Sequence, residues 1–106
     1  RYTKPGVGRV KATEAVGSST LPVPIVPLDS FGLFDSVDFI KMDVEGYEPL
    51  VIKGGIKTIE SSWPVILCEI NRGDFSAKEL LEDMGYRCVD VYYKGGIPHD
   101  YLFIKK

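Results

Sequence analysis

Four polar side chains near the middle of the sequence have the types and spacing to handle a proton or a cation. Asp43 and Glu45 follow the apolar run Val37-Asp38-Phe39-Ile40-Lys41-Met42, and Glu69 and Asn71 close the run from Val65 to Ile70. A carboxylate within hydrogen-bond reach of an alcohol can take the proton that the alcohol loses on reaction. Carboxylates gathered together also favour a bound cation. Gly46, next to Glu45, lets the backbone turn sharply and come close to a ligand. A structural alternative stands beside this: Asp43 and Glu45 could accept N–H groups at the start of the following helix. Glu69 is harder to explain that way, because an unpaired carboxylate inside an apolar strand is costly. Lys41 and Arg72 are the sequence's candidate partners for it, and Lys41 otherwise reads as a strand residue whose charge snorkels outward. Paired acids could also hold Mg²⁺, but the sequence offers no evident third ligand.

The elements that must position these side chains are legible from about Ser36 onward. Val37 to Met42 reads as a short strand, and Tyr47 to Ile59 as one helix, with Ile52, Ile56 and Ile59 on a single face. Pro49 suits the first helical turn, whereas Gly54 and Gly55 each cost a helix interior about 1 kcal/mol against alanine. Val65 to Ile70 is a second strand. Strand, helix and strand together have the size of a right-handed βαβ unit, so the two strands should run parallel. In such sheets ligands bind beyond the carboxyl ends of the strands, where all four polar residues fall.

Ser76-Ala77-Lys78-Glu79 has the pattern of a capping box opening a helix, with Leu80, Leu81 and Met84 as its buried stripe and Gly85 as its stop. Tyr86 to Tyr93 alternates as a strand. Lys94 to Asp100 reads as a turn, and Tyr101 to Ile104 as the last strand. That connection is too short for a helical crossover, so the last two strands should pair antiparallel. The one histidine, His99, falls in this Gly-Pro turn and reads as a solvated loop residue. Tyr86, Tyr92, Tyr93 and Tyr101 read as sheet packing, and Cys68 and Cys88 as reduced core residues.

The chain as a whole bounds these readings. Its 106 residues suit one domain with one core, and the net charge of −2 gives no reason to expect nucleic acid as a partner. No apolar run approaches a membrane span, which points to a soluble, cytoplasmic domain. Residues 1–20 read as an irregular segment with one extended piece near Val7 to Ala12, ahead of an α/β core over 21–106. Within that core, Leu21 to Leu28 carries Pro22, Pro24 and Pro27, which confines it to an edge or polyproline-like strand.

The order Ile40-Lys41-Met42-Asp43-Val44-Glu45-Gly46-Tyr47-Glu48, Val51-Ile52-Lys53-Gly54-Gly55 and Val65-Ile66-Leu67-Cys68-Glu69 resembles the FkbM family of S-adenosylmethionine-dependent methyltransferases. Val26-Pro27-Leu28-Asp29 fits the family's preceding strand and Leu-Asp pair. The resemblance covers Ser18 to Glu69 well and the remainder loosely. It implies the C-terminal part of a Rossmann-like class I methyltransferase sheet, with parallel strands ending in an antiparallel hairpin. It also implies S-adenosylmethionine as cofactor and a small-molecule hydroxyl, on a sugar or natural product, as acceptor. On that basis Asp43 and Gly46 are expected at the cofactor, and Glu45, Glu69 and Asn71 at the acceptor. Asp43, Glu45 and Glu69 are the candidate catalytic acids.

A complete member also needs a glycine-rich cofactor turn, for which Gly6-Val7-Gly8 is a poor candidate with no strand before it. The chain is therefore expected to be a partial domain, with weak or absent cofactor binding. The sheet order implied by the resemblance puts the last strand between those bearing Cys68 and Cys88, roughly 10 Å apart and out of disulfide reach. Two rival readings remain: a non-catalytic partial domain that self-associates through an exposed sheet edge, and a small α/β binding module with an acidic edge.

Overall fold

The computed structural model describes residues 9–11, 22–71 and 73–106. The Gly6-Val7-Gly8 candidate, most of the irregular segment and Arg72 lie outside them. Arg9–Lys11 (β1) and Pro22–Pro24 (β2) pair antiparallel in a small sheet of their own, the edge position that prolines tolerate. The main sheet contains Phe39–Met42 (β3), Val65–Glu69 (β4), Tyr86–Lys94 (β5) and Ile97–Lys105 (β6), in the order β3-β4-β6-β5.

β3 and β4 are parallel, with Met42 opposite Cys68, as the βαβ size requires. β6 runs antiparallel to both β4 and β5, and lies between them. The fold is thus mixed α/β, with a partly parallel four-stranded sheet. Cys68 pairs with Tyr101 and Cys88 with Phe103, one on each side of β6, and both cysteines are free.

Alternate residues of the sheet, Met42, Ile66, Cys68, Tyr101 and Phe103, bury against Ile52 and Ile59 and against Ala77 and Leu81. Those four come from the helices Glu48–Lys53 (α1), Ile56–Ser62 (α2) and Ser76–Met84 (α3). Tyr86 closes this core fully buried, its hydroxyl donating to the Pro64 carbonyl at 2.7 Å, and burial raises its pKa to about 12.

Three expectations need correction. The helix expected over Tyr47 to Ile59 is two helices, α1 and α2, broken at Gly54-Gly55. A side chain at Gly55 would come within 2.9 Å of Leu28 Cδ2, and Asp29 N–H donates to the Gly54 carbonyl at 2.9 Å. The 3-10 turn Leu28–Phe31 is therefore wedged where a continuous helix would pass. Asp29 then caps α2 from far away in sequence: its carboxylate accepts from Lys57 N–H, Thr58 N–H and the Thr58 hydroxyl at 2.8–3.1 Å.

At α3 the capping box does not form. The N-cap is Phe75, and Asp74 accepts from Ser76 N–H at 3.1 Å and from its hydroxyl at 2.6 Å, which leaves Ser76 as the first helical residue. Gly85 ends the helix in the left-handed region as expected, at φ 110°.

The turn expected over Lys94 to Asp100 shrinks to Gly95-Gly96. Both glycines have positive φ, 61° and 79°, the geometry of a two-residue hairpin that matches strand twist. Ile97 to Asp100 consequently belong to β6, and His99 is a strand residue.

Candidate functional site at the strand edge

The turn after β3 is built by a residue outside the expected set. Glu48, the first residue of α1, is buried, and its carboxylate accepts from Val44 N–H and Gly46 N–H, each at 3.0 Å. Glu48 thus holds the turn ahead of α1, whereas the helix-start N–H groups of Leu50 and Val51 donate to the Tyr47 carbonyl. Capping-box logic applied to Glu48, an acid in a first helical turn, would have found it. Held this way, the turn puts Glu45 in the left-handed region at φ 54°, uncommon for a residue other than glycine. Gly46 follows at φ 100°, and a Cβ there would stand 3.3 Å from Asn71 Nδ2. Asp43, Glu45 and Gly46 are exposed, as are Asn71 and Lys41.

Glu69 is half-buried at the end of β4. Because β6 runs antiparallel to β4, its first half lies against β4's carboxyl end, with Asp100 directly opposite Glu69. His99 Nε2 lies 2.7 Å from Glu69 Oε2, and His99 Nδ1 lies 3.1 Å from Asp100 Oδ2. The partner of Glu69 is thus His99 rather than Lys41. Glu69 Oε1 is buried and has no hydrogen-bond donor among the described residues.

Asp43 is a second carboxylate neighbouring the same group. Two ionised carboxylates cannot bond one another, but a proton held between them satisfies both. The Glu69 carboxyl is accordingly held above the usual range. The chief cause is that shared hydrogen bond with Asp43, followed by burial and by the charges of Asp43 and Glu48, with His99 pulling the other way.

The structure thus brings Asp43 and Glu69 together and sets Gly46 beside Asn71. Glu45 lies on the exposed turn next to Asp43. His99 and Asp100 were missed by the sequence reading. Gly95-Gly96 between two alternating runs was the available signal, since it marks a two-residue hairpin and places His99 in a strand. A cleft lined by Glu48, Pro49, Glu69, Asn71, Asp74 and Ala77 has room for about one water, ≈ 10 Å³. An apolar cavity of ≈ 120 Å³, lined by residues including Ile70, Asn71, Phe75, Pro98 and Tyr101, adjoins it. Among the described residues, no group of three or more His, Cys, Asp or Glu is placed to hold a metal ion.

The family model of the methyltransferase FkbM domain matches residues 4–88. The chain belongs to the FkbM methyltransferase family. The match contains Asp43, Glu45, Glu69 and Asn71 and stops before His99 and Asp100. No curated protein and no solved structure matches the chain. Methyltransferases of this family generally use S-adenosylmethionine. The described residues at this edge are acidic, with Asp43, Glu45 and Glu69 close in the fold or in sequence, and Glu69 Oε1 is an acceptor without a donor among them. Among the described residues no helix is long and apolar enough to cross a membrane.

Proposed function

We propose that this chain serves an S-adenosylmethionine-dependent methyltransferase of the FkbM type, built on a Rossmann-like sheet, that methylates a hydroxyl on a sugar or natural product. The observation that carries the reading is the Asp43–Glu69 pair at the strand edge of a chain belonging to a methyltransferase family. S-adenosylmethionine, when bound, supplies a methyl group on a sulfonium. Asp43, with Gly46 keeping the turn open, lies on the cofactor side and offsets its positive charge. Glu45, Glu69 and Asn71 face the acceptor. Glu69 takes the hydroxyl proton, and holding that proton beside Asp43 relieves the repulsion between the two carboxylates. The apolar cavity beside Asn71 has a size suited to a ring of the acceptor.

The sequence offers only Gly6-Val7-Gly8, outside the described residues, toward a glycine-rich cofactor turn, so the isolated chain is expected to bind the cofactor weakly. Each missing charge-assisted hydrogen bond is worth about 1.5–3 kcal/mol, and two or three of them carry a micromolar site into the millimolar range. The test is an amide NMR titration of the 106-residue chain with millimolar S-adenosylmethionine. Shift changes confined to residues 43–48 and 69–71, and lost in Asp43→Ala, are expected. No saturable change at that edge would overturn the reading, and micromolar affinity would overturn the partial-domain expectation.

A second reading is favoured by one feature: among the described residues β3 has β4 as its only neighbour in the main sheet, which leaves its other edge for pairing with another chain. Assembly through that edge predicts an apparent mass that rises with concentration in sizing experiments, with cofactor binding absent at every concentration.

A further inference from the structure

We propose that His99 is a positioning residue of the methyl-transfer site: it holds Glu69 by Oε2 and leaves the Glu69 carboxyl, with Asp43 as its neighbour, to take the proton an acceptor hydroxyl releases. The proposal rests on the methyl-transfer reading above and adds a residue that lies beyond the family match.

Three features of the chain support it. The first is the register of β6. Tyr92 pairs with Asp100 and Tyr93 with Pro98, so His99 is the extra residue of a β-bulge. A bulge interrupts the alternation of a strand and re-aims side chains, and bulges are over-represented beside active sites. Regular alternation would send His99 and Asp100 to opposite faces of the sheet. Here their side chains meet at 3.1 Å.

The second is the pair of contacts the imidazole makes. With Glu69 Oε2 at 2.7 Å and Asp100 Oδ2 at 3.1 Å, each ring nitrogen faces a carboxylate oxygen, an arrangement that fixes the ring plane. The third is the division of labour this leaves on Glu69. One oxygen is engaged by His99, and the other is buried with no donor of its own. An exposed carboxylate has water on both oxygens and gains little by accepting a proton, whereas the Glu69 carboxyl gains a hydrogen bond to Asp43 when it does.

The step moves a single proton. The acceptor's O–H bond breaks with its electron pair remaining on oxygen, and an O–H bond forms on Glu69, which becomes a neutral acid beside Asp43. The charged groups that set this equilibrium are Asp43 after β3, Glu48 on α1, and His99 and Asp100 on β6. The first two and His99 act directly on the Glu69 carboxyl.

The test needs neither cofactor nor acceptor. In protein labelled with ¹³C at glutamate carboxyls, the Glu69 signal, assigned by its loss in Glu69→Gln, is followed against pH. In the native chain it titrates above the ordinary glutamate range. His99→Gln removes the group that pulls the Glu69 midpoint down and moves it higher, and Asp43→Asn moves it lower. Because His99 is the single histidine, its ring resonance is unambiguous. It should show an inflection at the Glu69 midpoint that Glu69→Gln abolishes. This second reading stands even if His99→Gln fails to fold. A Glu69 midpoint unmoved in a folded His99→Gln, or a ring inflection that survives Glu69→Gln, overturns the proposal and leaves the cofactor titration untouched. A cofactor titration without saturable shifts removes the methyl-transfer reading while the Glu69–His99 coupling remains measurable.

Discussion

Asp29 and Glu69 are both half-buried carboxylates near the ends of elements, and the fold treats them in opposite ways. Asp29 collects three donors, Lys57 N–H, Thr58 N–H and the Thr58 hydroxyl. Desolvation alone pushes its carboxyl up, but the Thr58 and Lys57 hydrogen bonds and the Lys57 charge outweigh that, and it ends below its ordinary value. Glu69 has His99 on one oxygen, no donor on the other among the described residues, and a second carboxylate as neighbour, so it ends above. Burial is similar, and the supply of donors separates them. A saturated carboxylate ties a structure together. A donor-poor carboxylate is unfavourable in its ionised form and ready to accept a proton, and such groups concentrate at functional sites.

Removing the saturated acid breaks this contrast hardest. Asp29→Ala strands the Lys57 and Thr58 donors at the start of α2, and we expect a loss of about 2 kcal/mol in urea unfolding at neutral pH. The folded-state pKa of Asp29 is lowered, so its stabilisation is present above the ordinary carboxylate range and disappears as the pH falls through the folded-state value. The gap between Asp29→Ala and the native chain should therefore close in strong acid. A gap that persists unchanged there would mean the cap acts by packing rather than by charge.

Gly55→Ala attacks the same region sterically. The new methyl group meets Leu28 Cδ2 at 2.9 Å and Leu28 Cβ at 3.3 Å, so the 3-10 turn must shift. A destabilisation of about 1–2 kcal/mol is expected from overpacking, read as a fall in the urea midpoint. An unchanged midpoint would show that Leu28 yields freely and that the wedge does not hold Asp29 in place.

Glu69→Gln should have a smaller effect, and one of different form. Because the folded-state pKa of Glu69 is raised, the folded chain binds more protons than the unfolded chain just above the ordinary glutamate range, and stability falls as the pH rises through that window. The thermal midpoint of the native chain should decline there, whereas Glu69→Gln should be flatter and equal or exceed it near neutrality. A variant that is less stable at every pH would place Glu69 in the same structural class as Asp29.

The smallest effect concerns the cysteines, which test the sheet order that puts β6 against β4. Thiol titration of the denatured, unreduced chain should find both thiols free. In the folded chain Cys68 is fully buried and its pKa is pushed up to about 12, by burial first and then by Glu48, Asp100 and Glu69, so only the half-buried Cys88 should react near neutral pH. Equal reaction rates for the two would mean that β4 is not covered as described.

The sequence by itself determined the parallel β3–β4 unit, the antiparallel terminal strands and the meeting of acids at one sheet edge. These follow from short-range pattern: apolar runs of strand length, an isoleucine face at helical spacing, and connections too long or too short for the alternative. The family was legible as well, in the run from Ile40 to Glu69. The partners of each acid depended on the fold, because donors are supplied across space. Asp29 finds Thr58 only once the 3-10 turn wedges against Gly55, and Glu48 finds Val44 and Gly46 only when the turn after β3 closes. Glu69 meets His99 because β6 enters antiparallel beside β4 and carries a bulge where it passes. Strand pairing of that kind joins residues about thirty positions apart, a distance at which no local propensity or spacing rule operates.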